Sequence, residues 1–138
     1  IKILSSSFGD FNYFKKVKST KVKKVFISSG GKTLKEISSF LNIVNQENLT
    51  LIHTFFKTNN FEESLKKIEI MKKNFKIPVA YGNHFNKVDQ IHKVCKYKPS
   101  EIFFYIKMNK MLNYPDDKHA VPLKKIDIIL KKILNDKI

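Results

Sequence analysis

Val25-Phe26-Ile27-Ser28-Ser29-Gly30-Gly31, followed closely by Thr33-Leu34-Lys35-Glu36-Ile37, is the stretch on which the fold turns. Val25, Phe26 and Ile27 are continuously apolar, the pattern of a strand covered on both faces rather than one with a wet side. Gly30 and Gly31 turn the chain. Thr33 and Glu36 then match a capping box, in which the threonine accepts from the third helical amide and the glutamate reaches back. Leu34, Ile37, Leu41 and Val44 recur at helical spacing, which predicts an amphipathic helix. Strand, tight turn and capped helix make one βα unit.

The same unit recurs on both sides. Residues 1–4 form a short apolar run ending in Ser5-Ser6-Ser7, an expected strand, with a short helix expected over 11–17. The second strand is expected over 22–29 and the third over 49–56. Asn60-Phe61-Glu62-Glu63 repeats the capping pattern ahead of a helix whose buried side is Leu65, Ile68 and Phe75. A fourth strand is expected over 77–81, then a short helix on Val88, Ile91, Val94 and Cys95 that stops before Pro99. The fifth strand is expected over 102–106. Pro122 is expected at the first turn of a last helix with a stripe of Leu123, Ile126, Ile129, Leu130 and Ile133. Strands about 25 residues apart with helices between them predict a parallel α/β sheet in a single domain, 1–138. Polar residues follow each strand: Ser5, Ser28, His53, Asn83 with His84, and Asn109. Ligands bind at that end in both open and closed α/β sheets, so the site is expected there.

Composition narrows the function. The net charge of +15 raises the reading of a nucleic-acid binder, but all 27 basic residues are lysine. Arginine is the residue that reads guanine bidentately and stacks on bases, and its absence weighs against specific recognition. No apolar run approaches the roughly 20 residues of a membrane span, and Cys95 is the only cysteine, so a cytoplasmic location without disulfides is expected. No Walker loop, dinucleotide fingerprint, HExxH or nucleophile elbow is present.

A few residues remain as carriers of chemistry. Lys2 lies in an apolar strand, where an ammonium needs an anion or carboxylate partner or an open barrel end. With hydroxyls from Ser5 and Ser28 it predicts a phosphate site; the alternative is a frayed terminal lysine. His84 follows a strand end and could bind a divalent metal or polarise a carbonyl, or simply brace its loop. His53 could be a second ligand or a structural histidine within its strand. His92 is expected on a solvated helix face. His119, beside Asp116 and Asp117, could touch a ligand or serve a turn.

Read in order, these segments resemble the sialic acid synthase family, the phosphoenolpyruvate-dependent enzymes that make N-acetylneuraminate and related nonulosonic acids. Lys2-Ile3-Leu4-Ser5 resembles its K-I-x-S strand. Residues 25–30 with 33–37 resemble I-x-S-T-G…T-L-x-E-I, and Leu51-Ile52-His53-Thr54 resembles L-L-H-C. Ile77 to His84 is similar to P-V-G-Y-S-D-H, and Pro115-Asp116-Asp117-Lys118-His119-Ala120 to P-D-H-x-A-S. The blocks keep their order across essentially the whole chain.

The resemblance implies a partial (β/α)8 TIM barrel holding strands four to eight, without the first three units or the small antifreeze-like C-terminal domain. It implies phosphoenolpyruvate and an N-acetylmannosamine-type sugar as substrates and a divalent cation, manganese or magnesium. Carried over by position, Lys2, Ser5, Ser28, Tyr81 and Asn83 are substrate-binding and His84 is one of two metal histidines. The departures are specific. Tyr105 stands for the second metal histidine and Phe103 for a neighbouring glutamate. Gly82 stands for a phosphate-contacting serine and Asn83 for an aspartate. The strand-six loop asparagine falls at Phe56, and a Y-P pair at Thr58-Asn59. A single imidazole without a second nitrogen ligand or a carboxylate is a poor manganese site, so this chain alone is expected to be catalytically impaired. The alternative is a degenerate scaffold that binds a sugar, a phosphate or a partner protein. Five units cannot close a barrel, so self-association or a complementary chain is expected.

Overall fold

The computed structural model describes residues 1–54, 60–85, 87–108 and 116–135. Five parallel strands, β1 (Lys2–Ile3), β2 (Val25–Ser28), β3 (Leu49–Thr54), β4 (Val79–Gly82) and β5 (Ile102–Phe103), form one sheet in the order β1-β2-β3-β4-β5. Between them run α1 (Phe11–Ser19), α2 (Leu34–Leu41), α3 (Phe61–Phe75) and a 3₁₀ segment, Val88–Tyr97. The strand order never reverses. A doubly wound sheet reverses at its switch point, whereas a barrel adds strands in sequence.

Contacts across the sheet show that it curls. Flat strands lie about 4.8 Å apart, which would set β2 and β5 about 14 Å apart and β1 and β5 about 19 Å apart. Yet the rings of Phe26 on β2 and Phe103 on β5 meet with centroids 5.0 Å apart. The ammonium of Lys2 on β1 sits 5.6 Å from the Phe103 centroid. Only a sheet bent toward itself brings these side chains together, so this is a half-barrel.

The register sorts residues to the two faces. Ile3, Ile27, Leu51 and Val79 pair in one row and point outward to the helices. There they join Phe14, Phe40, Leu65 and Ile68 in the main core. The alternate residues, Lys2, Phe26, Ser28, Ile52, Thr54, Ala80, Gly82 and Phe103, line the concave side.

The capping box at Thr33 is formed: the Glu36 amide donates to Thr33 Oγ1 (3.2 Å) and the Thr33 amide to Glu36 Oε2 (2.8 Å). Asn60 caps α3 in turn, accepting from the Glu63 amide at 3.3 Å. Gly31, at φ 77°, supplies the left-handed turn between β2 and α2.

Several expectations need correction. The strand expected over 102–106 is split. Ile102–Phe103 pairs with β4, while β6 (Ile106–Lys107) pairs separately with β7 (Val121–Pro122). Pro122 therefore ends a strand, where its missing amide costs nothing to the short ladder. A 3₁₀ turn, Leu123–Lys125, follows it before α4 (Ile126–Asn135) begins. On α4, Ile129 and Ile133 are buried, but Leu123 and Leu130 are exposed, as is Leu34 at the start of α2. Val88–Tyr97 keeps the amphipathic pattern but winds as 3₁₀ rather than α. Phe56, Thr58, Asn59, Asn109, Asn113 and Pro115 lie outside the described residues.

Candidate functional site

All strands are parallel, so their C-terminal ends share one rim, and the polar residues gather there. Lys2 reaches across the concavity from β1. Its ammonium is 5.7 Å from the Tyr105 ring centroid, just past the end of β5. Ser28 and Thr54 end β2 and β3, and their hydroxyls lie 3.2 Å apart on the concave face. Ser5 occupies a 3₁₀ turn, Ser5–Ser7, directly after β1 at the same end.

Tyr81 points the other way. It is 1 % exposed, packed in the outer core, and burial pushes its phenol well above the ordinary tyrosine range. Its hydroxyl donates to Asn83 Oδ1 at 3.0 Å. Asn83, also 1 % exposed, donates through Nδ2 to the carbonyls of Phe85 (3.2 Å) and, at the long limit, His119 (3.5 Å). Both amide atoms are thus engaged in tying the end of β4 to the segment that precedes β7. An aspartate could not make those two donations.

His53 lies on the outer face, 3.2 Å from Ser64 Oγ on α3. Burial, partly countered by its Ser64 contact, lowers its pKa to about 4, so it is a neutral structural histidine near pH 7. It is not in the group of metal-ligating side chains around His84. A cavity of about 440 Å³ between α2 and α3, lined in part by His53, Thr33 and Lys67, opens on this helix-covered side.

The isolation expected for His84 does not hold. His119 packs against it at a tilt, with centroids 4.4 Å and ring planes 37° apart, and Tyr105 meets both rings edge-on, at 5.6 Å from His84 and 5.4 Å from His119. Asp116 Oδ1 is 3.0 Å from His119 Nε2. The metal-ligating atoms of His84, Asp116 and His119 lie within 4.8 Å of one another. Burial, then the neighbouring His119 and Lys2, hold the His84 pKa below its ordinary value against the pull of Asp116. Burial and Asp116 push the Tyr105 phenol up.

The sequence sets His119 in a loop beside two acids, and no local pattern in it brings that loop to His84. The link is the β6–β7 pairing, sealed by the Val121 amide donating to the Tyr105 carbonyl at 2.8 Å. Thr54 joins the rim as well. Its only sequence signal was a hydroxyl at a strand end.

Comparison with known proteins places this geometry in context. A profile of the NeuB family matches residues 1–136. N-acetylneuraminic acid (sialic acid) synthetase from Leptospira borgpetersenii, solved in complex with citrate, superposes with a TM-score of 0.86 at 16% identity, over 99% of this chain and 49% of its own. Spore coat polysaccharide biosynthesis protein SpsE from Bacillus subtilis gives 0.85 at 14% identity, over 99% and 40%. Spore coat polysaccharide biosynthesis protein E from Chromobacterium violaceum gives 0.78 at 15%, over 99% and 42%. The chain thus spans half or less of the length of these structures. No curated protein matches it significantly. Among the described residues no helix is long and apolar enough to cross a membrane. With a family profile matched over nearly its whole length, the chain belongs to the NeuB family.

Proposed function

We propose that the chain is the later part, strands four to eight, of a single-domain barrel that condenses phosphoenolpyruvate with an N-acetylmannosamine-type sugar, and that its concave rim supplies the anion-binding wall. One observation carries this reading. Lys2, from the first strand, extends its ammonium over Phe103 and Tyr105 at the far side of the half-barrel, into the neighbourhood of His84. A cation projected into a concavity over aromatic rings, with no carboxylate paired to it among the described residues, suits a phosphate or carboxylate ligand. The related synthetase that carries citrate in its crystal is compatible with a polyanion site on this fold.

In this reading Lys2 neutralises phosphate charge. Of the Ser28 and Thr54 hydroxyls, one donates to the other, which leaves one O–H to donate to a phosphate oxygen. Tyr81 and Asn83 act by holding the rim in place rather than by touching substrate. The methylene carbon of phosphoenolpyruvate would form the new bond to the sugar aldehyde, water would add to the resulting cation, and phosphate would leave. A divalent cation, manganese or magnesium, would supply polarisation of the aldehyde, with His84 among its holders. The open flank of β1, which pairs only with β2 among the described residues, is where further strands or a complementary chain would complete the barrel.

Tyr105 favours a second reading, because it stands where the family's second metal histidine falls: a scaffold that keeps the anion wall without synthesis. Titration calorimetry with phosphoenolpyruvate separates these ideas from neither binding at all. Both readings expect saturable heat that falls at least tenfold in affinity in Lys2→Ala. Equal heats in the two proteins would remove the anion wall. Product formation with the sugar would then decide between synthase and scaffold.

A further inference from the structure

We infer that His84, Asp116 and His119 form a divalent-cation site, built from a ligand set that keeps only one of the two strand-end histidines to which the family resemblance points. His119 lies two residues beyond the place where the P-D-H-x-A-S pattern carries its histidine, and Tyr105 occupies the position of the second metal histidine. The chain has thus lost one imidazole from the strand and presents another from the turn before β7.

The geometry supports coordination. Bonds from a first-row divalent ion to imidazole nitrogen or carboxylate oxygen are about 2.0–2.2 Å, so ligand atoms around one ion stand about 3–4 Å apart. The three donors here lie within 4.8 Å of one another, so small side-chain rotations close the set. Two imidazoles and one carboxylate are the donor types of the two-histidine, one-carboxylate sites that leave open positions for an outside oxygen.

The frame that presents these groups is assembled from protein contacts. The His119 and Ala120 amides both donate to the Asp116 carbonyl, at 3.2 and 3.0 Å. Lys107 on β6 pins the same turn, 3.1 Å from Asp117 Oδ2 and donating to the Asp117 carbonyl at 2.6 Å. Asn83, adjacent to His84, donates to the His119 carbonyl. Preorganisation of this kind reduces the ordering cost of binding. Tyr105 packs against both imidazoles as a wall and needs no role as a ligand. His119 is only 9 % exposed, which limits competing solvation of its ring.

The inference goes beyond the anion-wall reading and does not depend on it. Its probe is metal alone, so failure here leaves the phosphoenolpyruvate result standing. Mn²⁺ titrated into the chain, followed by electron paramagnetic resonance of the free ion, is expected to show one saturable site. His84→Ala and His119→Ala should each weaken it at least 10- to 100-fold, and Tyr105→Phe should leave it within about threefold. Should either alanine variant lose its far-ultraviolet circular dichroism, the unmodified chain answers instead. Substoichiometric Mn²⁺ must broaden the imidazole resonances of His84 and His119 and spare those of His53 and His92. No saturable site, unchanged affinity in a folded His119→Ala, or broadening centred on His92 would overturn the assignment.

Discussion

The two faces of the curled sheet follow different rules. Outward, Ile3, Ile27, Leu51 and Val79 form an apolar row under three α-helices, each 1 % exposed or less. Inward, the neighbouring positions mix Lys2, Ser28 and Thr54 with Phe26 and Phe103. The alternation of a strand places these residues one position apart, yet the outer set answers to burial and the inner set to what can stand beside an anion. Residues on the outer face therefore report on folding, and residues on the inner face report on binding.

The largest effect that could break this division is a cavity on the outer face. Leu51→Ala removes a fully buried side chain at the centre of the sheet and is expected to cost about 2–5 kcal/mol. Ser28→Ala, at the rim, loses one 3.2 Å hydroxyl contact and is expected to cost about 1 kcal/mol while weakening phosphoenolpyruvate binding. Urea denaturation of both variants measures the contrast. Equal destabilisation would mean that the concave face is as much a packing surface as the outer one.

His53 tests whether the outer face tolerates charge. Its pKa is lowered to about 4, chiefly by burial, while the unfolded chain binds the proton near pH 6.5. Between those values the unfolded state holds more protons, so stability falls as the pH drops from about 6.5 to 4, by about 3 kcal/mol from this group. Above pH 7 the contribution is fully present. Denaturation at pH 7 and pH 4, with His53→Gln as reference, isolates it, because the carboxylates titrate in both proteins. An identical acid loss in the variant would show that His53 is solvated in the folded chain.

The outer face was also the more legible from sequence. Continuous apolar runs and the Thr33 and Asn60 caps locate β2, β3, α2 and α3 to within a few residues, because burial and capping are local rules. The strand-end location of Ser5, Ser28 and His84 follows from parallel topology alone. What could not be read was the break after Phe103. An apolar run from Ile102 to Ile106 looks like one strand, and only the separate pairing of Ile106 with Val121 divides it. That division carries His119 to His84, so an error of three residues in one strand concealed the cluster. Tyr81 shows a second limit: motif position does not say which way a strand residue faces, and the register turns it outward.

Gly82 sharpens the comparison at the smallest scale. It stands where the resemblance carries a phosphate-contacting serine, and a Cβ built there would lie 2.9 Å from Thr54 Oγ1 and 3.0 Å from Ile52 Cγ2. Thr54 therefore fills the space that a side chain at position 82 would need, and the rim keeps a hydroxyl beside Ser28 on β3 instead of one on β4. Gly82→Ser should then destabilise by about 1–3 kcal/mol rather than restore a better phosphate site. Thr54→Ala removes one of the two obstructions, so the double variant should recover part of that loss, with a coupling of about 0.5–3 kcal/mol in a double-mutant cycle. Strictly additive effects would show that the two positions do not compete for the same volume, and that the threonine did not take the place of the serine.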